Sequence, residues 1–591
     1  MNYIICTSLI REKAKKNNIY LGFWALTNDN FLSYRNKKIN KFIWANKNKF
    51  VKDSLYIKKI CLKLYRFLYL SLNKTHQSQF SIKFWKILLF PWLYYYISGL
   101  YFRWNTVKEI KKNNYFIFEK NLKINNTKYL EDFDLLLNDQ WNQKTFQEIA
   151  LKQKKKYIFQ KKLNNKEYYF KKNTFYINYI NFFFVPNFLF IFFNYLFSLL
   201  KTNKVLFINT GYHRNASFAL FRKYKLNSAL EFFLKKLNPL FIYSGKQNYD
   251  LRKKFKNLFP NYFLSKNKFE IYLKEKISED LPNYLLEDFK NYLNRYIKIN
   301  NSKIIITAYD LFSKFPNKFY IAEQANKGAK LYLLEHGGSL PRKKSMLDLD
   351  LNICDKKITW YKPLKFKEFQ IPTHPFYFNK LSNKNIDYKK NTDCILIGGG
   401  DFKHIWNSEY IIKPPQIIEQ LEDIKKLYNC LRYDIKKRIF IKPHQGYSYS
   451  SDITFDLSKF YKKIFNKRII SDSSVEDCIA RSKLGITVYP MTTFSLLMYS
   501  SIPTVLIFNK KHYIFDDEVN VLIKKLVKNK IIFYDPKSAA NHINSIWKDP
   551  QIWFNSEDVK KARNLFLKEG LGMSFPRAEI KEEKKWVKIL N

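Results

Sequence analysis

The chain has 591 residues, and its 105 Lys and Arg residues against 50 Asp and Glu residues give a formal net charge of +55. This length exceeds what one hydrophobic core usually supports, so we predict two domains and an accessory segment. The lysines are spread along the chain and no RNA- or DNA-binding motif is visible, which argues against a nucleic-acid-binding protein. Such a charge favours anionic partners, namely anionic lipid, nucleotide-sugars and polyprenyl phosphates.

The six cysteines are scattered, with no CxxC pair and no histidine at metal-ligand spacing. This pattern predicts a reducing compartment, no bound metal and no other cofactor. The N-terminus reads MNYIICTSLI, without a basic region ahead of it or a small-residue cleavage site. We interpret it as a buried first strand and not as a signal peptide, and we expect a cytoplasmic protein.

Apolar runs and helical periodicity alternate in the N-terminal half of the chain. The runs that predict strands cover residues 1–9, 205–214, 303–310 and 329–338. Residues 37–73 have helical periodicity, and the aromatic run 84–103 also predicts a helix. We therefore predict an N-terminal domain over residues 1–345, with largely helical, aromatic-rich insertions over about 37–200.

A regular alternation of strands and helices begins at Asp393. The strands are DCILIG, RIFIK, KLGITV, TVLIF and IIF, with a helical segment between each pair. This alternation predicts a parallel, doubly wound sheet in a C-terminal domain over residues 346–568, followed by a tail over residues 569–591. The chain is thus predicted to be an α/β protein with two Rossmann-like domains, in which ligands bind at the carboxyl ends of the strands.

An uncharged aromatic segment over residues 174–200 is long enough to span a bilayer. It contains Pro186 and four asparagines, which are costly in contact with lipid. Three interpretations stay open, in this order: a buried aromatic core, a segment lying in the membrane interface, and a transmembrane span.

The stretch YPMTT joins a predicted strand, residues 483–489, to a predicted helix. Thr492 is the predicted N-cap of this helix, and Thr493 follows it. Free backbone N–H groups and paired hydroxyls at a helix N-terminus bind phosphate well. The alternative is that the two threonines only cap the helix.

Two further motifs stand at predicted strand ends. EHGG places the carboxylate of Glu335 beside the imidazole of His336, a possible general base, and Gly337 and Gly338 allow close approach of a ligand. The alternative for EHGG is a turn with an interdomain hydrogen bond.

KPHQG places Lys442 and His444 where they could neutralise a diphosphate without metal. For Lys442 the alternative is a surface lysine of a very basic protein.

Three acidic or glycine-rich motifs carry weaker signals. Glu518 of DDE could accept hydrogen bonds from a ribose, or it is a first-turn acid favoured by the helix dipole. GGGDFKH, residues 398–404, lacks phosphate-loop spacing and is interpreted as a flexible loop lining the cleft. Asp348 and Asp350 form an Asp-x-Asp pattern that we interpret as a solvated turn.

Segments at both ends of the chain carry a family pattern. Near the C-terminus they are IPTVLIFN, the acidic DDE and residues 531–567, and near the N-terminus IICTSLIRE, YLGFWAL and residues 84–104. They resemble a family of bacterial transferases of similar length that is associated with O-antigen and other surface-carbohydrate synthesis. The resemblance is densest over residues 331–360 and 485–567. Two departures stand out: Leu340 and Pro341 replace a frequent Tyr-Gly, and residues 495–497 lack a typical glutamate.

The resemblance and the motifs together imply a GT-B-like transferase, metal-independent and peripheral at the inner face of the cell membrane. It would move a sugar from a nucleotide-activated donor to a surface polysaccharide or polyprenyl-linked acceptor, with the N-terminal domain on the acceptor side. Glu335 or His336 would be the catalytic base. The donor-binding residues would be Gly337, Gly338, Lys442, His444, Thr492, Thr493 and Glu518.

Two rival functions are kept open. The first is a catalytically inactive scaffold of the same fold, because Ser495, Leu496 and Leu497 stand where a carboxylate is typical. The second, which the absence of a recognition motif disfavours, is a nucleic-acid-binding protein.

Overall fold

The structure is a computed structural model of the whole chain. It describes residues 2–10, 17–27, 33–120, 134–160, 205–208, 247–258, 267–295, 302–308, 311, 315–335, 337, 350–361, 367–373, 378, 393–400, 402–443, 454–455, 457–466, 468–470 and 473–570. His336, Gly338, His444 and the segment 174–200 lie outside these ranges.

Sheet A is formed by the N-terminal part of the chain. Its strands are β1 Tyr3–Ile5, β2 Asn18–Tyr20, β3 Lys38–Ile39, β4 Tyr115–Glu119 and β5 Lys156–Gln160. They run parallel in the order β3-β2-β1-β4-β5. The central strand β1 is short, but its Ile4 and Ile5 side chains are fully buried.

Sheet B follows in the chain and is also parallel. Its strands are β6 Val205–Ile208, β7 Ile304–Thr307, β8 Lys330–Leu334, β9 Lys356–Thr359 and β10 Gln370–Pro372. Their spatial order is sequential, β10-β9-β8-β7-β6. The apolar strands β6 and β7 have buried faces on both sides, as parallel strands covered by helices do.

Sheet C contains the strands of the C-terminal part, at the positions that the sequence predicts. They are β11 Asp393–Ile397, β12 Ile439–Lys442, β13 Ser482–Thr487, β14 Thr504–Ile507 and β15 Ile532–Phe533. All neighbours pair in parallel, in the order β12-β11-β13-β14-β15. This order is known from doubly wound α/β sheets, where the point at which it reverses lies between the first and third strands.

The α-helices connect and cover these sheets. Their bounds are α1 Lys47–His76, α2 Ile82–Lys108, α3 Asp134–Leu137, α4 Asp139–Lys152, α5 Tyr249–Asn257, α6 Lys268–Asp280, α7 Phe289–Arg295, α8 Phe315–Asn326, α9 Ile417–Cys430, α10 Tyr433–Lys436, α11 Leu457–Phe465, α12 Val475–Ala480, α13 Thr492–Tyr499, α14 Asp517–Lys528, α15 Pro536–Ile546, α16 Pro550–Phe554 and α17 Glu557–Leu565.

Helix α2 forms the centre of the N-terminal core. The Ser81 hydroxyl caps it by accepting a hydrogen bond from the Phe84 N–H at 3.2 Å. The helix is apolar on nearly all sides, which is the pattern of a buried helix, and it packs against α1, α4 and α8. Its large side chains Trp85, Trp92 and Tyr96 are almost wholly buried, so the predicted aromatic helix is core.

The predicted α/β class is confirmed, but the structure has three parallel sheets where the sequence predicted two sheet-bearing domains. In sheet A, the sequence predicted β1, within residues 1–9, but not β2 and β3, which are only three and two residues long. The segment predicted as a helical insertion also holds β3, β4 and β5. The predicted domain boundaries and the GT-B arrangement stay predictions. None of the helices within the described residues has the length and hydropathy needed to cross a bilayer.

Candidate functional site

The loop after β13 leads directly into α13. Met491, with extended backbone, is the N-cap residue, and its carbonyl accepts a hydrogen bond from Ser495 N–H at 3.3 Å. Thr492 is the first residue of the helix, so its prediction as N-cap is wrong by one position. Thr492 and Thr493 are half-buried in the first turn, where backbone N–H groups lack partners within the helix. Two threonine side chains are therefore present in the first turn of α13, and their role in phosphate binding stays a prediction.

The end of β8 lies against this helix start. Glu335 N–H donates to the Ile358 carbonyl at 2.8 Å, which extends the sheet B ladder by one residue. Two residues later, a Cβ atom placed on Gly337 would lie 2.6 Å from Thr492 Oγ1. Carbon and oxygen do not approach this closely without a bond, so only glycine fits beside Thr492 in this arrangement. The EHGG and PMTT motifs are thus brought together from two different sheets.

A largely buried ion-pair network lies at the end of β8. The Lys357 ammonium of β9 contacts the Asp350 carboxylate and lies 3.5 Å from Glu335 Oε2. Burial opposes the charged form of Lys357, but Asp350 and Glu335 outweigh it and hold the pKa of Lys357 well above its usual range. Asp350 is buried, so its interpretation as part of a solvated turn is wrong.

At the same edge of sheet C, β12 ends at Lys442. This side chain is buried, so the surface-lysine alternative is wrong. The Lys442 carbonyl accepts a hydrogen bond from Gly398 N–H at 3.0 Å, which ties the end of β12 to the loop after β11. Because parallel strands end at the same edge, Lys442, Gly398 and the Thr492 turn all belong to the carboxyl edge of sheet C.

The loop after β11 joins sheet C to the sheet A part of the molecule. Lys403 Nζ donates to Ser8 Oγ at 2.7 Å and lies 3.3 Å from Asp139 Oδ2. Ser8 Oγ donates to the same carboxylate oxygen at 2.5 Å, and His404 Nε2 donates to Asp139 Oδ1. Lys403 and His404 are buried, so the prediction of a flexible loop is wrong for these two residues.

Burial and neighbouring charges set the protonation states of His404 and Asp139. Burial lowers the pKa of His404 to about 4, so the imidazole is neutral at neutral pH. For Asp139, burial favours the neutral acid, but Lys403 and the hydrogen bonds from His404 and Ser8 hold its pKa well below the usual range. The Asp139 carboxylate is therefore charged and fully engaged, which is the state of a structural junction.

Arg103 strengthens this junction from α2. Its guanidinium donates to the Ile405 carbonyl at 3.1 Å and to the Leu136 carbonyl at 2.8 Å. Burial lowers its pKa to about 9, which leaves it charged at neutral pH. The carboxyl edges of sheets A and C thus meet through Ser8, Asp139 and the loop after β11.

Glu518 lies in the first turn of α14 and is half-buried. A carboxylate there complements the positive end of the helix dipole. This location fits both interpretations of Glu518. Among the described residues, no group of three His, Cys, Asp or Glu side chains is placed to hold a metal ion.

The profile of the LIC12162 family transferase matches residues 3–590, almost the whole chain. The chain belongs to this family. The enzyme class predicted from the sequence, a transferase, is thereby confirmed. No curated protein sequence matches the chain.

Several residues of this LIC12162 family transferase gave no usable signal in its sequence. Ser8 and Asp139 are 131 positions apart, and Lys403 is a further 264 positions along the chain. Lys357 follows another lysine at the start of an apolar strand, where its burial was not visible. In a chain this rich in lysine, only the fold distinguishes a buried lysine from a solvated one.

Proposed function

We propose that this transferase moves a sugar from a nucleotide-activated donor to a surface polysaccharide or polyprenyl-linked acceptor. The observation that carries the proposal is the contact between Gly337 and Thr492. A Cβ atom placed on Gly337 would lie 2.6 Å from Thr492 Oγ1. This contact joins a glycine turn at a strand end of sheet B to a helix start at a strand end of sheet C. A cleft between two such edges is where nucleotide ligands bind in parallel α/β proteins.

The donor diphosphate is assigned to the start of α13. The amides of its first turn and the hydroxyls of Thr492 and Thr493 supply donors for phosphate oxygens. Lys442 and His444 supply positive charge for the leaving nucleotide without metal. Gly337 and Gly338 leave room for the donor, and Glu518 accepts hydrogen bonds from the ribose.

The acceptor side is assigned to Glu335 or His336. One of them takes the proton of the acceptor hydroxyl while the new carbon–oxygen bond forms at the anomeric carbon. The bond between that carbon and the phosphate oxygen breaks, and the nucleotide leaves with the electron pair. The ion pair with Lys357 holds Glu335 in place at the end of β8.

A GT-B-like arrangement of sheets B and C is part of the proposal, and the same contact supports it. Two parallel sheets with facing carboxyl edges form an interdomain cleft, in which donor and acceptor sides can be held separately. Sheet A would then be an additional unit, attached to sheet C through the Asp139 junction.

A second candidate is an inactive scaffold that binds the donor but does not transfer. Ser495, Leu496 and Leu497 stand where a carboxylate is typical of the resembled family, and all three are buried. No carboxylate from these positions reaches the cleft. Donor binding without turnover would favour this candidate.

We also propose a cytoplasmic location with reversible attachment to the inner face of the cell membrane. The net charge of +55 attracts the protein to anionic lipid, and a lipid-linked acceptor is presented there. Extraction of membranes from expressing cells tests this. Release by high salt or alkaline carbonate is expected, and retention through both would contradict peripheral attachment.

The donor is identified by thermal unfolding of the protein with CMP-, UDP-, GDP- and CDP-linked sugars. A ligand that binds only the folded protein raises the midpoint as its concentration increases. We expect one nucleotide class to raise the midpoint, and we expect Thr492→Ala to reduce this shift because one phosphate hydrogen bond is lost. Thr75→Ala, the same change on a half-buried threonine of α1, is the matched control and should retain the full shift.

A further inference from the structure

The outward side of α1 carries exposed cations and exposed leucines in one row. Leu55 and Leu70 have 59% and 52% of their surface exposed. The row consists of Lys52, Leu55, Lys59, Arg66, Leu70 and Lys74, all exposed. Their separations of three, four and seven positions place them on one side of the helix, over about 33 Å at 1.5 Å per residue.

The positive charge of this row is not balanced within the helix. The acidic residue of α1 is Asp53, which is buried and accepts a hydrogen bond from Trp44 Nε1 at 3.0 Å. In the part of the chain that the structure describes, Lys52, Lys59 and Lys74 have no anionic partner. Together with Arg66, these lysines place four exposed cations along one side of α1.

Arg66 extends this potential to the neighbouring helix. Lys86 of α2 is half-buried, and burial together with the nearby Arg66 charge lowers the pKa of Lys86. Its ammonium lies 5.9 Å from the centre of the Tyr65 ring. Two cations repel each other here, which an anionic surface facing the row would relieve.

We propose that the α1 row docks on an anionic lipid bilayer. Helices that lie in a membrane interface combine basic side chains with leucines that enter the boundary of the headgroups, and the α1 row presents both outside its buried apolar face. The cations meet lipid phosphates while the two leucines enter the headgroup boundary. A nucleic-acid duplex would engage the cations only, and the leucines would then stay in water. Each cation near an anionic bilayer strengthens binding by about fivefold.

This assignment deepens the proposed membrane attachment by naming the face that makes it. It rests on the proposed attachment to an anionic membrane and not on the proposed sugar transfer. It also requires no contribution from the aromatic segment 174–200. Donor binding and lipid binding are therefore measured separately, and either can fail without the other.

The test is cosedimentation of the full chain with vesicles of phosphatidylcholine, with and without phosphatidylserine. The row variant combines Lys52→Gln, Lys59→Gln, Arg66→Gln and Lys74→Gln. Its control removes the same charge elsewhere, through Lys524→Gln, Lys525→Gln, Lys528→Gln and Lys560→Gln, all at exposed positions. Thermal unfolding and the donor-induced shift should match the wild type in both, because the replaced side chains are exposed.

We expect the wild type and the control to bind vesicles that contain phosphatidylserine, and the row variant to bind at least about tenfold more weakly. Leu55→Ser with Leu70→Ser should make the remaining binding more sensitive to salt. Equal weakening of the row and control variants would overturn the proposal, since only diffuse charge would then act. Equal binding by the row variant and the wild type would do the same. The proposal would also be overturned if the row variant lost as much affinity for duplex DNA as for vesicles.

Discussion

Gly337 and Thr492 are in contact across two different β-sheets: a methyl group on Gly337 would lie 2.6 Å from the Thr492 hydroxyl oxygen. The next atoms of Thr492, Cβ and Cγ2, would lie at 3.7 and 3.8 Å, which are ordinary contacts. The close approach is therefore made by the hydroxyl alone. This contact joins the two motifs to which we assign acceptor activation and donor phosphate binding.

The first prediction concerns this contact. Gly337→Ala should destabilise the protein by about 1–3 kcal/mol, as overpacking does. Adding Thr492→Ala should recover most of this loss, because the clashing hydroxyl is removed. Adding Thr492→Val should not, because a methyl group then replaces the hydroxyl. Urea unfolding of the single and double variants measures the coupling. Additive effects in the Ala–Ala cycle would show that the two residues are not in contact.

The second prediction distinguishes Glu335 from His336. The alanine variant of the catalytic base should lose turnover by about 100-fold or more while donor affinity is nearly retained, because the base acts in the transition state. Steady-state kinetics and donor titration on both variants test this. Equal losses of binding and rate in one variant would assign that residue a structural role. Thermal unfolding of Glu335→Ala is needed alongside, since it also removes the ion pair with Lys357.

The third prediction concerns the buried pair behind the site. Asp350→Asn removes the closest anion from the buried Lys357 ammonium and should cost about 3 kcal/mol of unfolding free energy. Replacing both partners by apolar residues, Asp350→Leu with Lys357→Met, should cost less, and the remaining cost comes from Glu335, which loses its ion pair with Lys357. If the double variant were as unstable as Asp350→Asn, the intact ion pair itself would stabilise the fold, and the loss in Asp350→Asn would not come from leaving Lys357 unpaired.

The fourth prediction is a loss of stability in mild acid. The pKa of buried His404 is lowered to about 4, whereas an unfolded histidine titrates near 6.5. The unfolded chain therefore binds the proton first, so the free energy of unfolding should fall as the pH drops from about 6.5 to about 4. His76 and His542 have the same shift by burial and add to it.

His404→Gln isolates the share of His404 because glutamine keeps an N–H donor for Asp139. We expect this variant to lose less stability than the wild type between pH 6.5 and 4, by up to ~1.4 kcal/mol per pH unit. Asp139 contributes to the pH dependence of stability in a different range, because its carboxylate is charged in the folded protein. Its lowered pKa stabilises the fold above about pH 4 and is lost only in stronger acid. Identical pH profiles for the two proteins would contradict a neutral, buried His404.

The C-terminal part of the fold was readable from the sequence because its strands are apolar runs bounded by turns. The predicted strands DCILIG, KLGITV and TVLIF correspond to β11, β13 and β14. In sheet A only β1 was predicted from the sequence, since β3 is two residues long and β5 is largely exposed and begins with lysine. Its strands depend on pairing with distant partners and not on local pattern.

For the site, the sequence predicted the motifs but not their partners. Glycines and threonines at strand ends are local signals, so Gly337 and Thr492 were found. Ion pairs between distant residues, such as Lys403 with Asp139, carry no spacing that a sequence reveals. The burial of Lys442 could not be predicted either, because a buried lysine cannot be distinguished by sequence from an exposed one among 105 Lys and Arg residues.

Titration calorimetry of the identified nucleotide-sugar tests the central claim most directly. The donor should bind the wild type and Thr75→Ala equally, and at least about tenfold more weakly to the Thr493→Ala, His444→Ala double variant, because hydrogen bonds to charged phosphate are lost. Thermal unfolding should show that the double variant stays folded. A donor affinity unchanged in the double variant would contradict the phosphate site at the start of α13.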